Sequence, residues 1–114
     1  LVSIDAGSTL SEAISLLKKH GISQAPVMDG ASLLGVLTEN KLLHRALQGD
    51  RSQESVRDLA DLDFCVVHGY TELPVLIELF ARFKVALVFD GSQGPKDIIT
   101  RIDLIDYMAK SRGE

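Results

Sequence analysis

The chain contains an internal repeat of about 60 residues, and this repeat restricts the possible folds more than any other feature. The turn pair Asp29-Gly30 recurs as Asp90-Gly91, and Thr38 recurs as Thr100. A period of this length is enough for a whole supersecondary unit. The sequence therefore predicts two similar halves.

Local patterns assign elements to the first half. Thr9 and Glu12 have the spacing of a capping box, and Gly21 is a typical helix-ending residue, so a helix is predicted between them. Apolar residues on both sides of Asp29-Gly30 predict a hairpin. Thr38 is then expected to start a second helix.

The same order of elements returns in the second half. The predicted elements are a strand at 64–67, a helix at 73–83, strands at 85–89 and 98–99, and a helix from Arg101. The polar stretch before them is a connector, with a helical turn predicted at 56–59. The expected fold is therefore α+β, with two tandem β-α-β-β-α units (residues 1–50 and 61–114, joined by 51–60) packed with pseudo-twofold symmetry.

Composition excludes several classes of function. The chain has 114 residues, 46% hydrophobic content and a net charge of -4, which predicts one globular domain with no nucleic-acid or membrane partner. No apolar run is long enough to span a bilayer, and no signal peptide is recognisable. Cys65 is the only cysteine and lies in an apolar run, so we expect a buried, inert thiol and a cytoplasmic protein. Because the chain begins at Leu1 without Met, we expect a fragment of a longer polypeptide.

Thr100 and Asp103 lie at the predicted junction between the last strand and the last helix. Two interpretations fit them. In the first, Thr100 caps the helix and Asp103 reaches back to its amide, as in a capping box. In the second, the hydroxyl, the carboxylate and the unpaired amides of the helix start bind a hydroxyl-rich ligand. Because the chain repeats, two quasi-equivalent clefts are expected, one at each strand-to-helix junction. The first half has Lys41 at the position of Asp103, so only the cleft with Asp103 is expected to bind a diol.

These residues resemble a known family. The segments GISQAPVMD and LLGVLTENKLL in the first half, and VALVFD and DIITRIDLI in the second, are similar to tandem CBS motifs, the Bateman module. Within that family, QAPV, LLGVLT and Asn40 followed by Leu42 most resemble the C-terminal regulatory domain of cystathionine β-synthases. Asp97 departs from the family, which often has Gly at that position.

The resemblance implies a regulatory module that binds an adenosyl compound, most similar to modules that sense S-adenosylmethionine and control a pyridoxal-phosphate-dependent catalytic domain. It implies that Asp103 binds the ribose hydroxyls, which suits an ionised carboxylate. It also implies a homodimer. The ligand-binding residues carried over from the family are Leu1, Val2, Ile22, Ser23, Gln24, Ala25, Ile98, Thr100, Ile102 and Asp103.

Other functions are left open by the sequence. An AMP, ADP or ATP sensor would need cations near the phosphates, for which Arg101, Lys96, Arg82 and Lys84 are candidates. A ligand-free module that only dimerises or docks on an enzyme is the third possibility. We do not expect catalysis by this chain, because its histidines have no metal-ligand spacing and no base adjoins a nucleophile.

Overall fold

The computed structural model describes residues 1–91 and 94–112. It divides the chain into two compact units, Val2–Leu62 and Asp63–Glu114, with Leu1 grouped in the second. Each unit has a three-stranded sheet in which the first strand is parallel and the third antiparallel to the middle one. The predicted α+β fold with two β-α-β-β-α units is confirmed.

The first unit follows the predicted order of elements. Its elements are β1 (Ile4–Asp5), α1 (Leu10–His20), β2 (Gln24–Asp29), β3 (Ser32–Thr38), α2 (Glu39–Ala46) and a 3-10 helix (Val56–Leu59). The apolar faces of these elements meet in one core, in which Leu10, Val27, Leu37 and Val56 are almost fully buried. Burial of these side chains is the main favourable term in the stability of the unit.

Helix α1 begins and ends as the sequence predicts. The Thr9 hydroxyl accepts a hydrogen bond from the Glu12 amide (3.2 Å), and the Glu12 carboxylate accepts one from the Thr9 amide (2.9 Å). Gly21 ends the helix with φ 62°, a left-handed conformation that costs glycine little.

The predicted connector lies against the first unit and holds the start of α1. The Leu10 amide donates to the Glu54 carbonyl (2.8 Å), and the Ser11 amide donates to the Ser52 carbonyl (3.0 Å). The Glu54 carboxylate accepts three hydrogen bonds from the Arg45 guanidinium, two from Nε (3.1 and 3.2 Å) and one from Nη2 (2.5 Å). These contacts fix the connector to both helices of the unit.

The end of this segment also lies along the outer edge of β3. Val36 and Asp61 exchange two backbone hydrogen bonds, of 2.9 and 2.8 Å. The approach is possible because residue 35 is glycine. A Cβ atom there would lie 2.7 Å from the Asp61 carbonyl oxygen and 2.9 Å from the Ala60 Cβ.

The second unit repeats the arrangement. Its elements are β4 (Cys65–His68), α3 (Leu73–Arg82), β5 (Val85–Phe89), β6 (Pro95–Thr100) and α4 (Arg101–Arg112). Cys65, Val67, Phe80 and Ala86 form its buried core.

Strand β6 is longer than the predicted strand at 98–99. Two residues near its start, Lys96 and Asp97, are polar and exposed, so the hydrophobic pattern does not predict them as strand residues. Pairing with β5 determines their conformation, since Asp97 is opposite Val88 and Pro95 is opposite Phe89. Proline is tolerated as the first residue of a strand.

Candidate functional site

The junction between β6 and α4 holds the Thr100 and Asp103 side chains in a fixed arrangement. The Thr100 amide donates to Oδ2 of Asp103 at 2.8 Å, and the Thr100 hydroxyl donates to the same oxygen at 3.0 Å. Asp103 thus makes the backbone contact that the capping interpretation predicts. Its carboxylate is nevertheless exposed, and Oδ1 takes no part in these two bonds. The junction therefore orients a charged acceptor.

Asp103 also lines a groove of about 530 Å³ within the second unit. This volume lies within the usual range for small-molecule sites, roughly 300–1,000 Å³. The apolar lining residues are Leu73, Leu76, Ile98, Ile99 and Leu104. The polar lining residues are Thr71, Asp97, Asp103 and Tyr107. Apolar walls with a few polar groups suit a ligand that has a flat ring and hydroxyls.

Only some of the predicted site residues of the second half line this groove. Ile98 and Asp103 line it, whereas Thr100 and Ile102 are not among its lining residues. Thr100 is half-buried and acts on Asp103, while the Ile102 side chain is 67% exposed.

The predicted residues of the first half lie mostly where β2 begins. Gln24 is half-buried and pairs with Thr38 across the sheet, and the Ser23 carbonyl accepts a hydrogen bond from the Glu39 amide (2.8 Å). Ile22 is 36% exposed and Ala25 is fully buried. These residues therefore adjoin the N-terminus of α2.

Two predicted residues come from the start of the chain. Val2 is half-buried, and Leu1 is 54% exposed. That the residues of both halves contact one ligand stays a prediction.

The junction between β3 and α2 has a different chemistry. The Thr38 hydroxyl accepts a hydrogen bond from the Lys41 amide at 3.2 Å, which is an ordinary helix cap. The Lys41 side chain is exposed and supplies an ammonium where the second unit has the Asp103 carboxylate. The first turn of α2 does contain an acid, Glu39, but it lies two residues earlier than the Asp103 position.

Comparison with known proteins agrees with the resemblance noted in the sequence. The CBS domain family matches residues 1–48. Cystathionine beta-synthase of Dictyostelium discoideum is 29% identical over 118 residues, which cover 97% of this chain and 24% of that protein. The chain thus spans about a quarter of the length of this curated relative.

Solved structures extend the likeness over both halves. The CBS-pair protein CBSX2 of Arabidopsis thaliana matches with a TM-score of 0.80 and 21% identity, covering 100% of this chain and 89% of that one. The chain has the fold of a CBS-domain pair. CBSX2 in complex with AMP matches with a TM-score of 0.74, at 21% identity over 98% of this chain and 90% of that one.

A further CBS structure contains a different nucleotide. The CBS domain of a bacterial CNNM/CorC family Mg2+ transporter, in complex with ATP, matches with a TM-score of 0.80 at 22% identity. The match covers 96% of this chain and 79% of that one. At this level of identity the likeness establishes the fold alone.

Two of the four cations proposed for a nucleotide already bind other groups of the chain. The Arg101 guanidinium donates from Nε to the Phe80 carbonyl (2.8 Å), which ties the start of α4 to the end of α3. Lys96 forms an exposed ion pair with Asp90 (3.1 Å). Arg82 and Lys84 are exposed.

Three polar residues of the groove were not predicted as site residues. Tyr107 follows Asp103 by four positions, a helical spacing that could have indicated a shared face. Asp97 was noted only as a departure from the family pattern. Thr71 follows β4, and only the structure places it near α4 residues in the groove.

The cysteine is buried, and the histidines are exposed. Burial raises the pKa of the Cys65 thiol, whose sulfur contacts the Val85 carbonyl oxygen at 3.7 Å. The predicted buried thiol is confirmed. The three histidines are exposed, and the described residues contain no group of three acids, histidines or cysteines placed to hold a metal ion. No helix in the described ranges combines the length and hydropathy needed to cross a membrane.

Proposed function

We propose that this CBS pair is a regulatory module that binds S-adenosylmethionine, with Asp103 accepting hydrogen bonds from the ribose hydroxyls. The observation that carries the proposal is the position of Asp103, which is oriented by Thr100 and lines the groove of about 530 Å³. Charge-assisted hydrogen bonds to a carboxylate are stronger than neutral ones, which suits recognition of a diol.

The proposed ligand is an adenosyl compound for two reasons. Solved structures with a similar fold include CBS structures in complex with AMP and ATP, and the sequence is similar to a cystathionine beta-synthase. Among adenosyl compounds, S-adenosylmethionine has no phosphate. This matters because Arg101 and Lys96 already bind the Phe80 carbonyl and Asp90.

Calorimetric titration with S-adenosylmethionine, AMP and ATP in one buffer tests the proposal. We expect one site for S-adenosylmethionine. Asp103→Asn should weaken binding about tenfold, because charged hydrogen bonds are worth roughly 1.5–3 kcal/mol each. Lys41→Ala is the matched control from the other half and should leave affinity unchanged.

Each alternative predicts a different result. Preference for AMP or ATP, with binding that weakens steeply in salt, would favour a nucleotide sensor. Failure of all three compounds to bind would favour a ligand-free module and would leave Asp103 as a capping residue. Loss of affinity in Gln24→Ala would support the predicted contribution of β2 to the same ligand.

We also infer that the module controls a pyridoxal-phosphate-dependent enzyme of the cystathionine β-synthase type, carried on the same polypeptide in the cytoplasm. The support is the Dictyostelium discoideum relative, of which this chain spans about a quarter. S-adenosylmethionine should change the activity of the full-length protein, and Asp103→Asn should shift this response to about tenfold higher ligand concentrations. An unaltered activity with the ligand bound would contradict this inference.

A homodimer is proposed from a separate observation. Helices α3 and α4 leave several apolar side chains exposed, namely Val75, Ile77, Ile102, Ile105 and Tyr107. Exposed apolar surface of this kind often marks a protein interface. Light scattering should give the dimer mass for the wild type and a smaller mass for Ile105→Lys. A monomeric wild type would contradict the proposal.

A further inference from the structure

The two halves differ at the outer edge of their last strand. In the first unit, the segment that ends at Asp61 pairs with Val36 and passes directly over Gly35. The registers identify the corresponding residue in the second unit. Gly35 is opposite Val27 and Asp97 is opposite Val88, and in each sheet the register shifts at the next position. Asp97 is therefore the counterpart of Gly35.

Asp97 changes this edge in two ways. Its Oδ1 accepts a hydrogen bond from the Ile98 amide at 2.8 Å, whereas the corresponding Val36 amide donates to the Asp61 carbonyl. The Ile98 amide at this edge is thus satisfied by the neighbouring Asp97 side chain and not by another segment. Asp97 also has a Cβ atom where Gly35 has none, and a Cβ at Gly35 would lie only 2.7 Å from the overlying carbonyl oxygen. A segment placed like the one at Asp61 would therefore collide with Asp97.

The carboxylate of Asp97 also changes the charge of the groove. Asp97 and Asp103 both line it, and its described lining contains no lysine, arginine or histidine. A cleft lined by charges of one sign attracts ligands of the opposite sign and repels ligands of the same sign. The groove therefore favours a cationic ligand over a phosphate.

We infer that Asp97 is a specificity-determining residue that makes the groove prefer an adenosyl sulfonium cation to neutral or phosphorylated adenosyl compounds. The inference rests on the proposed adenosyl function and adds the charge of the ligand to it. S-adenosylmethionine has a sulfonium cation, S-adenosylhomocysteine has a neutral thioether in its place, and AMP has a phosphate. These three compounds separate recognition of charge from recognition of the adenosine group.

The experiment is calorimetric titration of the whole chain with the three compounds, using wild type, Asp97→Asn and Asp106→Asn. The amide of Asn can still accept the bond from Ile98, so Asp97→Asn removes the charge with little change in shape. Asp106→Asn is the matched control. It removes an equal charge from an exposed α4 residue that is paired with Lys110 (3.0 Å) and is absent from the groove lining.

We expect Asp97→Asn to weaken S-adenosylmethionine about threefold to fivefold, the effect of one charge at a few ångströms in water. S-adenosylhomocysteine should be unaffected and AMP should bind more tightly. The loss for S-adenosylmethionine should shrink at high salt, because exposed charges are screened. Asp97→Glu should retain the preference, and Asp106→Asn should behave as wild type.

Other results would overturn the inference in distinguishable ways. Equal losses for S-adenosylmethionine and S-adenosylhomocysteine would mean that Asp97 acts by contact or folding instead of charge. Unchanged affinities in Asp97→Asn, with binding still dependent on Asp103, would refute this inference alone. Failure of the wild type to bind any of the three compounds would refute both this inference and the proposed function.

Discussion

Replacement of Gly35 by alanine tests the close approach of the connector to β3. The new Cβ would lie 2.7 Å from the Asp61 carbonyl oxygen and 2.9 Å from the Ala60 Cβ, so both residues would have to move. Overpacking of this kind costs about 1–3 kcal/mol. Displacement would also weaken the two Val36–Asp61 hydrogen bonds, each worth about 0.5–1.5 kcal/mol.

A smaller effect of the same substitution increases the free energy of unfolding. Alanine reduces the conformational entropy of the unfolded chain and thereby stabilises the fold by about 0.4–1 kcal/mol. The net expectation is a loss of about 2–3 kcal/mol in the free energy of unfolding. For a unit of this size the loss corresponds to a decrease in Tm of roughly 10 °C or more.

Gly69→Ala is the matched control. Gly69 has no atoms within 4 Å of an added Cβ, and its φ is not positive. The control should therefore keep or slightly raise the stability. Urea denaturation followed by far-UV circular dichroism measures both variants. Equal stability of Gly35→Ala and Gly69→Ala would refute the close approach.

Two further predictions concern titratable groups. Hydrogen bonds from Arg45 lower the pKa of Glu54, so the folded state holds this carboxylate ionised more strongly than the unfolded state does. The resulting stabilisation is present above the ordinary glutamate pKa of about 4.3 and is lost as the pH falls through the lowered pKa. Urea denaturation at decreasing pH should show a steeper acid loss for wild type than for Glu54→Gln, and parallel profiles would contradict this. Burial raises the pKa of Cys65, so a thiol reagent at neutral pH should modify it slowly in the native protein and rapidly in denaturant. Equal rates would mean that the thiol is accessible.

The sequence was sufficient to predict the elements because their signals are local. The capping box at Thr9, the glycine at Gly21 and the turn at Gly30 act through residues a few positions apart, and the structure contains all three. The repeat then defined the fold, since each half had to bury one apolar face. The junction at Thr100 and Asp103 was predictable for the same reason. Both the helix start and the spacing of its capping residues are visible in the sequence.

The groove and its charge depend on tertiary structure. Asp97 lies in β6, Tyr107 lies in α4 and Thr71 lies in the loop before α3. Their shared position follows from how these segments pack in the second unit. The need for glycine at position 35 could not be predicted from the sequence either. The atoms that approach it closely belong to residues 60 and 61, more than 20 positions away. Local patterns specify which elements form. Contacts between residues distant in sequence decide which surfaces are covered and which stay open, and the candidate site is one of the latter.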